Sequence, residues 1–429
     1  MLPPLTVETL VNGGSGLVRH DGRVVFIPDT AVGDTVVSRV TKEKKHYSEA
    51  QLVEILKPGP QRREPHCPVA GECGGCQWQH LNYSEQLEWK YNLFRDTLIH
   101  HCKIDEQKIQ PICAAGREWH YRSRAQIKCH YTDDGFITGF YRPKSRFVVT
   151  IEHCPILAPE LNLLLQALRS LLAGSPFADK IPQIDLAVDD KNKCALTVHY
   201  LGGDQRALID LLRSGSLNSD ILLQAGRKKR LKVIQGDGLL QLHVDQARIK
   251  LNYAVGSFAQ INLVQNRQLI DTVISLADLS GSEQIMDLYC GMGNFSLPLA
   301  KRCKSVMGIE ESPLSVEWAR KNAELNRLNN TRFICGSVDE ELKHGREQGN
   351  IDLLLLDPPR TGAYNVMKSL IEHPVDKIIY VSCDQQTLAR DLKVLVNHGY
   401  QLTISQPFDM FPQTYHCESV TLLRRERSA

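Results

Sequence analysis

The sequence predicts a multidomain α/β protein in which a doubly wound parallel sheet follows a small β-barrel and a central α+β domain. Short β-rich runs punctuated by glycines occupy residues 1–57, which is typical of a small barrel. From residue 256 onward, short apolar runs alternate with helical segments, as they do in a doubly wound sheet. The 429 residues suffice for two or three domains, and we place these at 1–57, 61–255 and 256–429.

The predicted barrel rests on two β-rich runs, 24–28 and 35–40, with glycines at the turns around them. A basic run at 42–46 stands beside Tyr47. It is either a solvated turn, as single charge runs usually are, or a phosphate contact on the barrel surface. The proline- and glycine-rich segment 57–60 then ends this part of the chain.

Four cysteines of the central domain form a candidate metal site. Cys67, Cys73 and Cys76 lie close together in the chain, and Cys154 follows far downstream. Four thiolates are able to hold a [4Fe–4S] cluster or a tetrahedral zinc ion, and the spacing does not separate the two. The alternative is that Cys154 is unrelated and that the other three cysteines form a knuckle without metal.

The remainder of the central domain carries one predicted helix and one basic cluster. Leucines at helical spacing between residues 161 and 172 predict the helix. The cluster Arg227–Arg230 is either a solvated loop or an RNA contact.

A glycine-rich turn at 287–296 follows a predicted strand and opens a helix, which indicates a cofactor site at the edge of the parallel sheet. NAD is the obvious competitor, but three details favour S-adenosyl-L-methionine. Ser296 replaces the third glycine of the dinucleotide motif. Asp287 suits a cationic group better than a pyrophosphate, and Glu310 ends the next predicted strand, where an acid is able to hold ribose hydroxyls.

Two strand ends carry the predicted chemistry. Asp357 begins an Asp-Pro-Pro-Arg loop after one apolar strand, and Cys383 follows another strand and precedes a helix. We expect the helix dipole to lower the pKa of this thiol, as it does for nucleophilic cysteines. The alternative for Cys383 is a buried structural thiol.

A thiolate, a methyl donor and a base are what methylation of carbon 5 of a uracil requires, because addition of the thiolate to carbon 6 activates carbon 5. Glu418, which precedes the last predicted strand, is the best candidate for the base. His416 is the second candidate. Cys417 is a rival thiol, but no helix follows it.

The composition sets limits on location and partners. Hydrophobic residues make up 42% and charged residues 23%, as in ordinary globular proteins, and no stretch is apolar enough to span a bilayer. The N-terminus does not resemble a secretory signal, so we expect a cytoplasmic protein. The net charge of +2 is weak for a nucleic-acid binder and leaves RNA binding to local basic patches. Nothing indicates oligomerisation, and we expect a monomer.

Taken together, these motifs resemble those of the bacterial 23S rRNA uracil-5-methyltransferases of the RumA/RlmD type, over nearly the whole chain. Residues 14–34 are similar to the TRAM domain, an OB-like RNA-binding barrel. The resemblance implies a Rossmann-like methyltransferase domain in which Cys383 is the nucleophile and Glu418 is the base. It also implies a [4Fe–4S] cluster, rather than zinc, on Cys67, Cys73, Cys76 and Cys154. The implied S-adenosyl-L-methionine contacts are Gln260, Tyr289, Asn294, Glu310, Ser337 and Asp357.

The resemblance also implies a partner. Relatives that modify tRNA generally lack the barrel and the cluster, so 23S rRNA is the expected substrate, with no membrane or DNA partner. The target base has to leave its stack to be methylated. The predicted RNA contacts around it are basic residues interleaved with tyrosines: Arg122, Arg124, Arg142, Lys144, Tyr121 and Tyr141. The alternatives are a tRNA uracil or second rRNA uridine as substrate, a non-catalytic RNA-binding or folding factor, and an NAD-linked iron–sulfur oxidoreductase.

Overall fold

The computed structural model describes residues 1–133, 135–226, 231–246, 248–344 and 351–426. The basic cluster at 227–230 lies outside these residues. None of the helices in the described ranges has an apolar stretch long enough to cross a membrane.

The N-terminal residues form a mostly antiparallel sheet in the order β1-β5-β6-β4-β3-β2. Its strands are β1 (Leu5–Thr6), β2 (Thr9–Leu10), β3 (Gly16–His20), β4 (Arg23–Ile27), β5 (Thr35–Glu43) and β6 (Tyr47–Lys57). The segment 5–10 belongs to both edges of this sheet, because β1 pairs with β5 and β2 pairs with β3. Val7 N donates to Asp34 O (2.9 Å), and the next residue, Glu8, donates through its N to Leu17 O (2.9 Å). The sheet therefore closes on itself, and the predicted barrel is confirmed.

Helix α1 (Tyr83–Cys102) follows the barrel and the first three cysteines of the candidate metal site. Its buried residues Phe94, Leu98 and Cys102 belong to a core that is shared with the C-terminal sheet. The helix therefore precedes the central sheet in the chain but packs against the C-terminal sheet.

The central sheet has the order β13-β12-β11-β10-β7-β8-β9 and is antiparallel apart from the β11–β12 pair. Its strands are β7 (Arg124–Thr132), β8 (Gly135–Tyr141), β9 (Val148–Thr150), β10 (Gln183–Val188), β11 (Cys194–Tyr200), β12 (Asp220–Ala225) and β13 (Lys232–Gln235). Helices α2 (Pro159–Leu172) and α3 (Gln205–Ser214) bury their leucines against it. The helix predicted at 161–172 is thus confirmed. A hairpin of β14 (Leu239–Val244) and β15 (Ile249–Ala254) then leads to the C-terminal sheet.

The C-terminal sheet has the order β18-β17-β16-β19-β20-β22-β21, with β16 to β20 parallel and β22 antiparallel to both of its neighbours. Its strands are β16 (Gln284–Leu288), β17 (Ser305–Glu310), β18 (Thr331–Cys335), β19 (Leu353–Leu356), β20 (Lys377–Ser382), β21 (Tyr400–Phe408) and β22 (Glu418–Arg425). The helices are α4 (Leu263–Ala277), α5 (Ser296–Ala300), α6 (Pro313–Leu325), α7 (Val338–His344), α8 (Tyr364–Glu372) and α9 (Gln385–Val396). The strand order reverses direction at β16 and β19, and a crevice at the carboxyl ends of strands at such a point is the usual ligand site of these sheets.

Candidate active site

Cys383 and Glu418 lie next to each other at the carboxyl edge of the parallel strands. In the antiparallel pairing of β20 with β22, Ser382 is opposite Ser419. The next position in this register brings together Cys383, which follows β20, and Glu418, which begins β22. Residues directly opposite on antiparallel strands have Cβ atoms about 5 Å apart. The structure thus brings the predicted nucleophile and the predicted base to one place.

The Cys383 thiol is half-buried among charged groups. Burial raises the pKa of this thiol to about 12, with further contributions from the carboxylates of Glu418 and Asp357, while Arg360 acts in the opposite direction. Helix α9 does begin directly after the thiol, with Asp384 as its N-cap. Our expectation of a lowered pKa is nevertheless wrong, because burial and two carboxylates outweigh a helix dipole effect of about 1 kcal/mol.

Glu418 is only 2% exposed. Burial raises the pKa of its carboxyl group well above the usual range, and Asp357 adds to this effect. His416, the second candidate base, lies beside Arg360, and burial together with that guanidinium lowers its pKa to about 4. Cys417, the rival thiol, belongs to the core that contains α1, and its Sγ donates to Phe408 O at 3.7 Å. Cys383, rather than Cys417, is therefore the thiol that lies at the crevice.

Asp391 on α9 holds the loop that begins at Asp357. Its Oδ2 accepts hydrogen bonds from Ala363 N (2.6 Å) and from Tyr380 Oη (2.8 Å). These bonds join the loop to the strand and the helix that flank the thiol. Gly362 in this loop has φ +74°, and a Cβ atom there would lie 2.6 Å from Asp391 Oδ2, so glycine is required.

Five of the six predicted cofactor contacts follow neighbouring parallel strands. Tyr289 and Asn294 come after β16, Glu310 ends β17, Ser337 comes after β18, and Asp357 comes after β19. Because the carboxyl ends of parallel strands meet at one edge, these residues surround the same crevice. Their role as contacts of the cofactor stays a prediction.

Glu310 ties the glycine-rich turn to the end of β17. Its Oε2 accepts from Gly291 N (3.1 Å), and its Oε1 accepts from Ser312 N (2.8 Å). Gly291 and Gly293 both have positive φ angles, +56° and +92°, which glycine adopts without strain. At Gly291 and Gly293 the turn therefore has no side chain, and the main chain itself faces the edge of the sheet.

Asp287 is a buried acid with an unused oxygen. Its Oδ2 accepts from Ser296 Oγ, whereas its Oδ1 has no hydrogen-bond partner among the described residues. Burial raises the pKa of this carboxyl group to about 7, and the neighbouring Asp357 and Glu310 also raise it. Three acids close together at this edge of the sheet favour a cationic ligand nearby and oppose a pyrophosphate.

The sixth predicted contact, Gln260, lies just before α4, whose N-cap is Asn262. Near the start of this helix, Asn266 exchanges two hydrogen bonds of 2.9 Å with the side chain of Asn294. These bonds fix the N-terminal end of α4 against the glycine-rich turn. Asn266 did not stand out in the sequence, because its partner comes from a different element.

All four predicted metal ligands, Cys67, Cys73, Cys76 and Cys154, line one cavity, together with apolar residues such as Phe140. Burial raises the pKa of Cys76 to about 12, and the other three thiols contribute to the shift. Cys154 therefore belongs with the other three cysteines. Across the ranges that the structure describes, no group of three or more His, Cys, Asp or Glu side chains is placed to hold a metal ion.

A basic cleft of about 870 Å³ opens beside this cavity, on the surface of β7 and β8. Its lining includes these basic and aromatic residues: Arg122, Lys128, Tyr141, Arg142, Lys144 and Arg146. Lys128 and Arg146 were not among the RNA contacts predicted from the sequence. Lys128 was recognisable in principle, because it alternates with the buried Ile127 and Cys129 along β7.

Two of the predicted RNA contacts have other roles. Tyr121 is buried, and its Oη donates to Pro412 O (3.0 Å). Arg124 donates from Nη1 to Ala259 O (3.3 Å). The expectation that Tyr121 faces RNA is wrong, because a tyrosine ring offers a large apolar surface for packing.

Two family descriptions match this chain. Residues 82–426 match the family described as tRNA (Uracil-5-)-methyltransferase, and residues 4–53 match the TRAM domain. The first match covers most of the chain and includes both sheets that follow the barrel.

Relatives of similar length are named for RNA methylation. The 23S rRNA (uracil(1939)-C(5))-methyltransferase RlmD of Alkalilimnicola ehrlichii is 33% identical over 98% of this chain and 96% of that protein. The protein of the same name from Shewanella amazonensis is 35% identical over 97% of this chain and 94% of its own length. Among solved structures, the Pyrococcus abyssi tRNA (uracil-54, C5)-methyltransferase in complex with S-adenosyl-L-homocysteine has a TM-score of 0.76. It is 23% identical and covers 98% of this chain and 100% of its own, which shows the shared fold.

Proposed function

Because the chain belongs to the RNA uracil-5-methyltransferase family, we propose that it transfers a methyl group from S-adenosyl-L-methionine to carbon 5 of a uridine in 23S rRNA. The observation that carries this proposal is the pairing of Cys383 with Glu418 at the edge of an acid-lined crevice. The names of the two RlmD relatives support 23S rRNA as the substrate.

In the proposed reaction, the Cys383 thiolate adds to carbon 6 of the uracil, and the displaced ring electrons make carbon 5 nucleophilic. Carbon 5 bonds to the methyl group as the bond between that group and the donor sulfur breaks, which leaves S-adenosyl-L-homocysteine. The Glu418 carboxylate then removes the proton from carbon 5. The electrons of that C–H bond restore the ring double bond, and the cysteine sulfur leaves carbon 6 as a thiolate.

The raised pKa of Cys383 fits an ordered sequence of binding. A thiol whose pKa is about 12 is protonated at neutral pH, and it ionises more readily when a positive charge is close. The sulfonium of the methyl donor carries such a charge, and Asp287, Glu310 and Asp357 attract it. We infer that the nucleophile forms mainly when the methyl donor is bound.

We propose that the donor contacts Gln260, Tyr289, Asn294, Glu310, Ser337 and Asp357. The positions of five of these residues after β16 to β19 support this assignment. The unused oxygen of Asp287 adds a seventh polar group, suited to an ammonium. Isothermal titration of single alanine variants with S-adenosyl-L-homocysteine tests each contact without requiring turnover.

We also propose that Cys67, Cys73, Cys76 and Cys154 hold a [4Fe–4S] cluster. A single zinc ion with bonds of about 2.3 Å brings its thiolates within about 4 Å of one another. A [4Fe–4S] cluster spreads its four thiolates more widely, and the support for it here is that the four thiols line one cavity. Iron and sulfide analysis of anaerobically purified protein tests this: Cys154→Ser should lose both, and the exposed Cys335→Ser should lose neither.

The basic cleft is the proposed binding surface for RNA next to the target base. Phosphates are attracted by its lysines and arginines, and an exposed tyrosine such as Tyr141 is able to stack on an unpaired base. Lys128→Ala and Arg146→Ala should each weaken RNA binding and lower the slope of log K against log salt by about one. Lys321→Ala, on the exposed side of α6, is the matched control and should leave the slope unchanged.

We further infer that residues 1–57 and 61–255 serve RNA and cluster binding, that residues 256–429 carry the methyl transfer, and that a monomer acts in the cytoplasm. The TRAM match at 4–53 supports the first assignment. Light scattering of the purified protein tests the monomer, which would give a mass near 48.4 kDa.

A covalent trap tests the mechanism. RNA containing 5-fluorouridine, together with S-adenosyl-L-methionine, should give a stable protein–RNA adduct, because fluorine is not removed as a proton. Cys383→Ala should give no adduct, whereas Cys417→Ala, which changes a thiol in the core, should still give one. Methylation by Cys383→Ala would disprove the mechanism.

The substrate is tested by mapping 5-methyluridine in rRNA and tRNA with and without the gene. Loss of one modified uridine from 23S rRNA is expected. Loss from tRNA alone would make tRNA the substrate, and a cellular role that Cys383→Ala preserves would indicate a non-catalytic factor.

A further inference from the structure

The loop 409–417, which joins β21 to β22 and leads into Glu418, is held by distant parts of the chain. The carbonyl oxygens of residues 410–412 accept hydrogen bonds from side chains of three other segments: Asn262 to Met410 (3.2 Å), Lys90 to Phe411 (3.0 Å) and Tyr121 to Pro412 (3.0 Å). A loop with this many anchors has little freedom of its own.

Gln413 has the most connections in this loop. It is fully buried, and both polar atoms of its side chain are bonded. Oε1 accepts from Gln86 Nε2 and from Arg63 Nη2, each at 3.0 Å, and Nε2 donates to Glu118 Oε2 at 3.0 Å. Its main-chain N donates to Gln86 Oε1 (2.9 Å).

The main chain of Gln413 is bonded to the segment that carries the cysteines. Its carbonyl oxygen accepts from Gln77 N (3.0 Å) and from Trp78 N (2.9 Å), and Cys76 immediately precedes these two residues. Gln413 also has φ +71°, in the left-handed region that a residue with a side chain adopts only when its surroundings hold it there. The cysteine segment and the side-chain bonds together supply that restraint.

We propose that Gln413 is a positioning residue that sets the location of Glu418 relative to the uracil, and that it transmits the position of the cysteine segment to the active site. This rests on the proposed role of Glu418 as the base. Only four residues separate Gln413 from Glu418, and this short connection runs directly into the first position of β22.

The nucleophile does not depend on this loop. Cys383 is supplied by β20 and α9, and the Asp391 bonds hold its surroundings. Disturbing Gln413 therefore displaces Glu418 while leaving Cys383 in place. Addition and methyl transfer should keep their rates, and removal of the carbon 5 proton should slow.

The test uses a charge swap. Gln413→Glu replaces the Nε2 donor by a carboxylate oxygen beside Glu118, so two carboxylates repel each other in the same space. Adding Glu118→Gln restores one hydrogen-bond donor and one acceptor between positions 118 and 413. Arg63 and Gln86 keep an acceptor oxygen at position 413 in both the single and the double variant. Gln401→Ala, at the exposed start of β21, is the control in the same hairpin.

The assay follows a radiolabelled methyl group in a single turnover on ordinary uridine RNA. With Gln413→Glu, label should enter the covalent protein–RNA band as fast as in the wild type and leave it about a hundredfold more slowly, the usual effect of a displacement near 1 Å. The double variant and the control should release label as the wild type does. Hydrogen exchange should rise in peptides of the loop 409–417 and not in peptides of β20.

Two results would overturn the proposal: entry and release slowing by the same factor in Gln413→Glu, or a double variant that releases no faster than the single one. Failure of the proposed function looks different. In that case the wild type would give no labelled RNA, or Glu418→Gln would fail to hold label in the covalent band.

Discussion

Replacing Lys90 with methionine removes one half of a buried ion pair that anchors the loop 409–417. Lys90 Nζ lies 2.5 Å from Asp409 Oδ1, and both side chains are fully buried. The other carboxylate oxygen, Oδ2, accepts from Tyr83 Oη at 2.9 Å. Methionine fills nearly the same space as the lysine stem, so the main loss is the charge and the hydrogen bond to the loop.

The expected cost follows from the burial of both partners. Removing one member of a buried ion pair costs about 3–5 kcal/mol, because the remaining charge is left without compensation. The bond from Tyr83 still satisfies part of the Asp409 carboxylate, which places the expected cost near the lower end, at about 3 kcal/mol. This corresponds to roughly a hundredfold change in a local opening equilibrium.

Hydrogen exchange under native conditions is the appropriate assay, because a chain with several domains has no single free energy of unfolding. Protection should fall about hundredfold in peptides from the loop 409–417 and from α1. Peptides from β3 and β4 of the barrel should be unchanged, and they act as an internal control.

The double variant Lys90→Met with Asp409→Asn separates charge from packing. Neither buried charge is left unpaired in it, so most of the lost protection should return. Protection that falls less than about tenfold in Lys90→Met, or a double variant no better than the single one, would refute the role assigned to this ion pair.

Three further outcomes are expected. The rate of Cys383 alkylation should rise about tenfold per pH unit across the neutral and mildly alkaline range, because the pKa of this thiol is about 12. At neutral pH, S-adenosyl-L-methionine should accelerate the alkylation, and S-adenosyl-L-homocysteine, whose thioether is uncharged, should not. Gly362→Ala should lower the melting temperature more than Gly281→Ala, since both have positive φ but only the first would place a Cβ within 3 Å of described atoms. Affinity for S-adenosyl-L-methionine should weaken as the pH falls below about 7, because burial raises the pKa of both Asp287 and Asp357 to about 7 and each gains a proton there. Calorimetry of Asp287→Asn should give weaker binding that depends less steeply on pH, since only Asp357 then titrates in this range.

Local patterns were sufficient to predict the elements that carry the site. Apolar runs and the residues that follow them depend only on near neighbours in the chain, so the strand ends at Asp357 and Cys383 were recognisable. The sequence also showed that Glu418 precedes an apolar run, which we expected to be the last strand. The antiparallel register that makes them neighbours became visible only in the structure.

The electrostatic environment was not predictable in the same way. The argument for a lowered pKa of Cys383 used only the adjacent helix. Burial of the thiol raises this pKa, and the two carboxylates that raise it further come from other strand ends. The anchors of the loop 409–417 were missed for the same reason. Lys90 and Gln86 meet their partners 319 and 327 positions away, beyond the reach of any periodic pattern.

Helix α1 has a practical consequence for dissecting this enzyme. Cys102 Sγ donates to Ala389 O on α9 (3.1 Å), and the leucines of α9 pack on the same helix. Helix α1 therefore packs with the C-terminal sheet, although the residues of the central sheet lie between the two in the chain. A fragment that begins at residue 256 would expose the apolar side of α9 and should aggregate. A fragment in which a short linker joins α1 to residue 256 onward keeps this apolar side covered.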